Sequence, residues 1–138
     1  LVKEDPKAIW LVVDMAYPAT NIPAMAGADC LNTTQTYPQK TRWEMLNQEG
    51  ECEDIYNRYC HIRASLGSKT MLELVSTDYV EVTLSPEDLK KLNIRYIVST
   101  NDFDEKILTG ITNIFTESGI EFQKYYEGTQ LSIYRCVY

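Results

Sequence analysis

The sequence predicts an α/β fold, with α+β as the alternative. The expected architecture is a single-domain sandwich: a mixed β-sheet, helices packed on it and a C-terminal β-hairpin. An apolar run of strand length, "AIWLVV" at 8–13, stands near the start of the chain. Later, strand signals alternate with helix signals and end in two strands around a turn at Gly128. The 138 residues, 44% of them hydrophobic, suffice for one core, so residues 1–138 are predicted to form one soluble domain.

The first elements are a strand, a long irregular segment and a short helix. The strand at 8–13 ends at Asp14, and residues 15–37 are rich in proline and in small or polar residues. Long irregular segments in compact domains are usually functional. The stretch "PQKTRWEMLNQ" at 38–48 then predicts a helix with Trp43 and Leu46 facing inward.

Three strand patterns follow between residues 59 and 84: "YCHIRAS", "TMLELVS" and "DYVEVTL". Side chains alternate between the two faces of a strand, so Tyr59, His61 and Arg63 share one face of the first. In the third, valines alternate with polar positions, which predicts one buried face. We predict that the three strands form a meander over 59–84.

The second half begins with a helix signal at Ser85-Pro86. A serine caps a helix, proline suits its first position, and the acids that follow face the positive end of the helix dipole. Asn93 suits a left-handed stop before the strand "IRYIVS". The pattern at 101–119 predicts an amphipathic helix that starts with a capping box of Asp102 and Glu105 and stops at Gly119. The stretches "IEFQKYYE" and "LSIYRCVY" complete the chain as a hairpin.

The net charge of the chain makes some classes of partner unfavourable. A net charge of −7 and a pI of about 4.7, without any run of Lys or Arg, argue against nucleic-acid binding. No apolar run reaches the roughly 18 residues that span a bilayer. Because the chain begins at Leu1 rather than Met, we expect it to be excised from a larger protein.

The four cysteines leave two alternatives open. Cys30, Cys52, Cys60 and Cys136 form no CxxC, and His61 is the only histidine, so a zinc site is not predicted. Four cysteines could form two disulfides, with three connectivities, or remain four buried thiols, which we favour slightly. A thiol–imidazole pair from Cys60 and His61 is disfavoured because neighbours on a strand point to opposite faces.

The chain contains none of the common catalytic signatures. It has no GxSxG, HExxH, P-loop or GxGxxG, and its two acidic clusters suit turns and helix caps better than a metal site. We therefore predict no catalytic residue, no metal and no cofactor.

The binding candidates lie in and near the stretch "IYNRYCHI" at 55–62: Trp43, Asn57, Arg58, Tyr59 and His61. Aromatic rings can stack on sugars, and an arginine with a neighbouring amide can bind a carboxylate or phosphate. The structural alternatives are that Trp43 anchors its helix in the core, that Arg58 ties the loop to a neighbouring acid, and that His61 is structural. From the residues alone, "IYNRYCHI" is best interpreted as a junction between a loop and a strand that could also contribute to a binding site.

Three longer segments add a family resemblance. The stretches "TRWEMLNQEGECEDIYNRYCHI", "DLKKLNIRYIVST" and "LSIYRCVY" resemble soluble domains of large polytopic bacterial membrane proteins. These are the GT-C-like membrane glycosyltransferases and the related cell-surface polysaccharide assembly proteins.

The resemblance implies an extracytoplasmic domain, C-terminal to membrane helices and beside a lipid-linked sugar site. The implied partners are the transmembrane region of the parent protein and a glycan or lipid-linked sugar. In such enzymes the catalytic carboxylate lies in a loop attached to the membrane helices, and nothing here matches that loop. We therefore expect a non-catalytic accessory domain in cell-surface glycan assembly or transfer, whose parent would be the glycosyltransferase.

Two alternatives stay open at this point. One is a free-standing cytosolic α/β domain that binds a small molecule or regulates a partner. The other is a soluble enzyme with a composite site.

Overall fold

The structure is a computed structural model, and it describes residues 1–46, 49–100 and 112–138. Its strands are β1 (Ile9–Val12), β2 (Asp29–Cys30), β3 (His61–Leu66), β4 (Met71–Ser76), β5 (Tyr79–Leu84), β6 (Ile94–Thr100), β7 (Glu121–Glu127) and β8 (Leu131–Val137). Its helices are short: a 3₁₀ turn at Ala19–Asn21, then α1 (Ile22–Met25), α2 (Lys40–Leu46), α3 (Glu53–Tyr56), α4 (Pro86–Lys91) and α5 (Thr112–Glu117). None of these helices is long and apolar enough to cross a membrane.

The strands form two mixed sheets. The five-stranded sheet has the order β2-β1-β6-β8-β7, in which β1 runs parallel to β2 and β6, while β8 is antiparallel to β6 and β7. The three-stranded sheet has the order β3-β5-β4. The mixed α/β class and the C-terminal hairpin are thus confirmed.

The predicted meander over 59–84 is wrong in its strand order. β5 lies between the other two strands and pairs in parallel with β3, from His61 opposite Tyr79 to Leu66 opposite Leu84. The alternating faces predicted for β3 and β5 are confirmed, and both strands bury every second side chain. β4 is exposed along most of its length and lies at the edge of the sheet. An edge strand does not need to bury one face of its side chains. Periodicity reports which face is buried and does not report which strand is the neighbour.

The main core contains side chains from both sheets and from α2, α4 and α5. Leu11 and Ile97 come from the larger sheet, Val80 and Val82 from the smaller, and Phe115 from α5. The alternate side chains of β1, including Trp10, join a second cluster in which Trp10 stacks on Tyr96 at 4.6 Å. β1 is therefore buried on both faces.

The two sheets meet at the end of β1. Val13 forms an isolated parallel bridge with Ala64 of β3, and the Asp14 N–H donates a 2.8 Å hydrogen bond to the Ala64 carbonyl. Asp14 has a positive φ of 58°, so the chain leaves β1 through a left-handed turn. This turn starts the long loop of residues 15–37.

The helix signals predicted at Ser85, Asn93 and Gly119 are confirmed, whereas the helix predicted for 38–48 begins at Lys40. Ser85 and Asp88 form a reciprocal capping box at the start of α4, with Pro86 inside it. Asn93 has a φ of 52° after α4, and Gly119 has a φ of 83° after α5. The predicted capping box of Asp102 and Glu105 lies outside the described residues.

Candidate functional site

Gln35 joins the long loop to the stretch at 55–62. Its backbone N–H donates to the Cys60 carbonyl at 2.8 Å, and the Cys60 N–H donates back at 3.1 Å. Its side-chain Nε2 donates to the carbonyls of Tyr56, at 2.7 Å, and Arg58, at 2.8 Å. The loop-to-strand junction predicted from the sequence is therefore held by a buried glutamine that sequence reasoning did not single out.

Trp43 is a core anchor with a polar attachment to the same glutamine. Its indole Nε1 donates a 2.6 Å hydrogen bond to Gln35 Oε1, and its ring stacks on Tyr56 at 5.3 Å and 5°. Only 2% of Trp43 is exposed. The inward positions predicted for Trp43 and Leu46 are confirmed, and the Trp43 ring lies in the core instead of on an open surface.

Arg58 and Asn57 close the turn between α3 and β3. Arg58 donates from Nη2 to the Asp54 carbonyl and from Nη1 to the Thr77 carbonyl, the latter at 3.3 Å. Within the described residues, the guanidinium thus ties the loop through backbone carbonyls and not through an acidic side chain. Asn57 is exposed, and its N–H donates to the Glu53 carbonyl at 2.9 Å.

His61 is fixed by a short relay of hydrogen bonds. The Thr34 N–H donates to Asn21 Oδ1 at 2.9 Å, which sets the orientation of that amide and turns its Nδ2 toward Thr34 Oγ1 at 3.1 Å. Thr34 Oγ1 lies 3.1 Å from His61 Nδ1. The Thr34 hydroxyl has one proton and two acceptor sites, so it accepts from Asn21 and either donates to Nδ1 or accepts from it, depending on the tautomer of the imidazole.

Two exposed tyrosines flank this histidine. The Tyr17 ring lies 4.2 Å from the imidazole at 36°, and the Tyr59 ring lies 5.7 Å away at 75°. They are 53% and 52% exposed, respectively. We call Tyr17, Tyr59 and His61 the aromatic face. The sequence indicated Tyr59, His61 and the loop, but nothing in the pattern distinguished Tyr17 within that loop.

A cleft of about 240 Å³ adjoins the aromatic face through Thr34, which also lines it. We call it the Arg42 cleft. Its polar lining includes Thr33, Thr36 and Gln39, and Trp43 is part of its apolar lining. Arg42 forms an ion pair with Asp29 through Nη2. Sequence reasoning missed Arg42 because a lone arginine on a short helix carries no distinctive signal.

The cysteines are unpaired in the structure, as the second of the two alternatives expected. Cys30, Cys60 and Cys136 are buried, and Cys52 is half-buried. Burial raises the pKa of the Cys30 and Cys60 thiols to about 11 and that of Cys136 to about 12. These three sulfurs are therefore protonated near neutral pH and are poor nucleophiles.

Within residues 1–46, 49–100 and 112–138, no group of three or more His, Cys, Asp or Glu side chains could hold a metal ion. Of the five predicted binding residues, the structure brings Tyr59 and His61 together. Trp43 and Arg58 support them from the interior and from the turn. The binding role of the five stays a prediction.

Comparison with known proteins adds one finding. No curated protein and no solved structure matches the chain. The chain belongs to the family described as "Domain of unknown function (DUF7654)", whose model matches residues 1–138.

Proposed function

We propose that this chain is a non-catalytic, extracytoplasmic domain of a membrane protein that assembles or transfers cell-surface glycan. In this proposal the aromatic face contacts the glycan. The supporting observation is the position of Tyr17 and Tyr59 on either side of His61, each about half exposed. The family resemblance of "NRYCHI" and its neighbouring segments supplies the membrane and glycan context.

The chemistry of the aromatic face suits a sugar ring. The C–H faces of a pyranose pack on aromatic rings, and its hydroxyls need hydrogen-bonding groups at the edge. The two tyrosines offer ring faces and phenolic hydroxyls. Thr34 occupies Nδ1 of His61, and Nε2 makes no hydrogen bond within the described residues, so Nε2 is the ring nitrogen left to donate to or accept from a ligand.

The surrounding residues hold the face rigid. Asn21 and Thr34 fix the imidazole, while Gln35 fixes the backbone at Cys60, one residue before His61. A rigid site loses less conformational entropy when it binds a ligand. Trp43 contributes to this rigidity through its hydrogen bond to Gln35. A substitution of Trp43 would therefore change the stability of the fold and would not test the aromatic face itself.

The direct test replaces exposed tyrosines in the full-length protein. We expect the double variant Tyr17→Ala/Tyr59→Ala to lower the amount of glycan on the cell surface. Each lost ring costs on the order of 1 kcal/mol, or roughly fivefold in affinity. Tyr126→Ala is the matched control, because Tyr126 is 52% exposed but lies on β7. Glycan at the wild-type level in the double variant, with equal protein in the cell, would remove the aromatic face from the proposal.

A second candidate is the free-standing cytosolic domain that binds a small molecule or regulates a partner. The observation that favours it is the absence of a disulfide among Cys30, Cys52, Cys60 and Cys136. Exported domains commonly pair their cysteines, whereas cytosolic proteins keep them reduced. The two candidates differ in location, and protease accessibility distinguishes them.

A further inference from the structure

We propose that the Arg42 cleft is a binding site for an amphipathic organic anion, whose carboxylate or phosphate lies against Arg42. The proposal concerns other residues and another ligand class than the aromatic face does. It can therefore fail while the glycan proposal stands, and the reverse also holds.

Arg42 has a hydrogen-bonding capacity that the described protein does not use. Its Nη2 pairs with Asp29, while its Nη1 is buried and makes no hydrogen bond within the described residues. A buried donor without a partner is unfavourable, and more so when the group is charged. Arg42 lines the cleft with 17% of its side chain exposed, and in this proposal its terminal group turns so that Nη1 reaches the ligand. A carboxylate or phosphate matches its planar fork.

The cleft offers further hydrogen-bonding groups beside the guanidinium. Thr33 and Thr36 each contribute a hydroxyl, and Gln39 contributes an amide. These side chains make no hydrogen bond to the described protein, so they remain open to a ligand. An oxyanion on Arg42 would accept from such groups.

A groove on the other side of Arg42 adds positive charge and an apolar floor. It measures about 420 Å³ and shares Gln39 and Arg42 with the cleft. Lys40 and Lys91 also line it, and we call it the cationic groove. Lys91 lies 3.8 Å from the exposed Glu87, and Lys40 has no ion pair within the described residues.

This grouping of cations is unusual for the chain. The sequence has 13 Lys and Arg against 20 Asp and Glu, yet three cations line this one groove. Two acids, Asp29 and Glu87, pair with two of these three cations, Arg42 and Lys91. A local positive potential attracts anions, whereas the net charge of −7 of the whole chain repels a second copy of it.

The floor of the cationic groove explains why the anion should be amphipathic. Ile9, Met45 and Leu92 line it, and they can take a hydrocarbon portion while the oxyanion reaches Arg42. Ligand sites commonly combine apolar walls with a few placed polar groups. A ligand with both parts therefore suits the cleft and the groove together.

The test is a titration of the ¹⁵N-labelled 138-residue chain, followed by NMR. The probes are hexanoate and hexyl phosphate, which distinguish a carboxylate from a phosphate, with 1-hexanol as the neutral probe. We expect saturable shifts around residues 33–42 with at least one anion. Affinity should fall at higher salt, because screening weakens ion attraction.

Two variants and one control assign the binding to Arg42. Arg42→Gln should weaken binding by at least about tenfold, the usual loss for a charge-assisted hydrogen bond. Asp29→Asn should tighten it, because the competing carboxylate on Nη2 is removed. Arg63→Gln is the matched control, since Arg63 also forms an ion pair, with Glu81 at 3.3 Å, and does not line this cleft.

The outcomes are decisive in both directions. No saturable shift with either anion would overturn the proposal, as would equal binding of 1-hexanol. Equal losses in Arg42→Gln and Arg63→Gln would also overturn it. If Arg42→Gln does not fold, Asp29→Asn still tests the proposal, because only an anion at Arg42 predicts tighter binding in that variant.

Discussion

The side-chain carbonyl of Gln35 accepts a 2.6 Å hydrogen bond from the indole N–H of Trp43, and both residues are buried. The same glutamine donates to the carbonyls of Tyr56 and Arg58. One side chain thus connects α2, the long loop and the turn that leads into β3. It explains how the long segment at 15–37, which the sequence predicted to be irregular and which contains only the 3₁₀ turn, α1 and β2, holds Thr34 and His61 in fixed positions.

This arrangement predicts a large cost for Gln35→Leu. The substitution leaves the Trp43 N–H and two carbonyls without partners in a buried place, each costing about 1–3 kcal/mol where relaxation is incomplete. We expect the free energy of unfolding to fall by about 3 kcal/mol in urea titrations. Gln123→Leu, at an exposed position of β7, should change it by less than about 0.5 kcal/mol. Equal effects of the two variants would contradict the role given to Gln35.

Asp88 at the start of α4 carries a second prediction. Its Oδ2 accepts from the Ser85 N–H at 2.8 Å, from the Ser85 hydroxyl at 2.8 Å and from the Thr70 hydroxyl at 2.5 Å. Asp88→Ala removes the one oxygen that accepts these three hydrogen bonds in a buried place, and we expect a loss of about 2–3 kcal/mol. Glu87→Ala is the control, because its exposed contact with Lys91 contributes at most about 0.5 kcal/mol. Urea unfolding of both variants measures the difference.

The thiols give a prediction about reactivity. Cys52 is half-buried and the other three cysteines are buried with raised pKa values. We expect Ellman's reagent at pH 7.5 to label one thiol quickly and all four only after denaturation. Cys52→Ser should remove the fast phase. A chain with two disulfides would release no thiol even when denatured, and that result would contradict the structure.

The same thiols predict that stability falls in alkaline solution. Their ordinary pKa is about 9, and burial raises it to about 11 for Cys30 and Cys60 in the folded state. Above pH 9 the unfolded chain loses these protons first, so the free energy of unfolding decreases as pH rises toward 11. We expect a loss on the order of 1 kcal/mol per buried thiol between pH 8 and pH 10 under reducing conditions.

The control for this pH dependence is a chain in which Cys30 and Cys60 are replaced by alanine. Its free energy of unfolding should fall less steeply between pH 8 and pH 10 than that of the wild type. The absolute stability of the variant does not enter the comparison, since only the slope with pH is compared. Parallel slopes would show that these thiols do not titrate differently in the folded and unfolded states.

Local patterns predicted part of this structure well. The serine cap at Ser85, the left-handed Asn93 and the buried faces of β3 and β5 follow from short-range rules of backbone and side-chain geometry. The order of β3, β5 and β4 does not, because it depends on which edges pair across the sheet. The contacts of Tyr17 with His61 and of Gln35 with Trp43 likewise join residues that no periodicity relates.

The candidate site was therefore predicted in outline and not in detail. "IYNRYCHI" was correctly interpreted as a junction between loop and strand, and the inward position of Trp43 is confirmed. Arg42 could not be found in this way. Its unused Nη1 is a property of the packed molecule, because only the fold decides which donors lack partners.

Protease accessibility in cells tests the central claim most directly. A recognition site for a sequence-specific protease can be inserted between Thr129 and Gln130, which are exposed in the turn between β7 and β8. Spheroplasts that carry the full-length protein are then treated whole or after permeabilisation, with a cytosolic protein bearing the same site as the control. The account predicts cleavage in whole spheroplasts while the cytosolic control stays intact. Protection until permeabilisation would place the domain in the cytosol, contradict the extracytoplasmic proposal, and leave the small-molecule-binding or regulatory domain as the function to test.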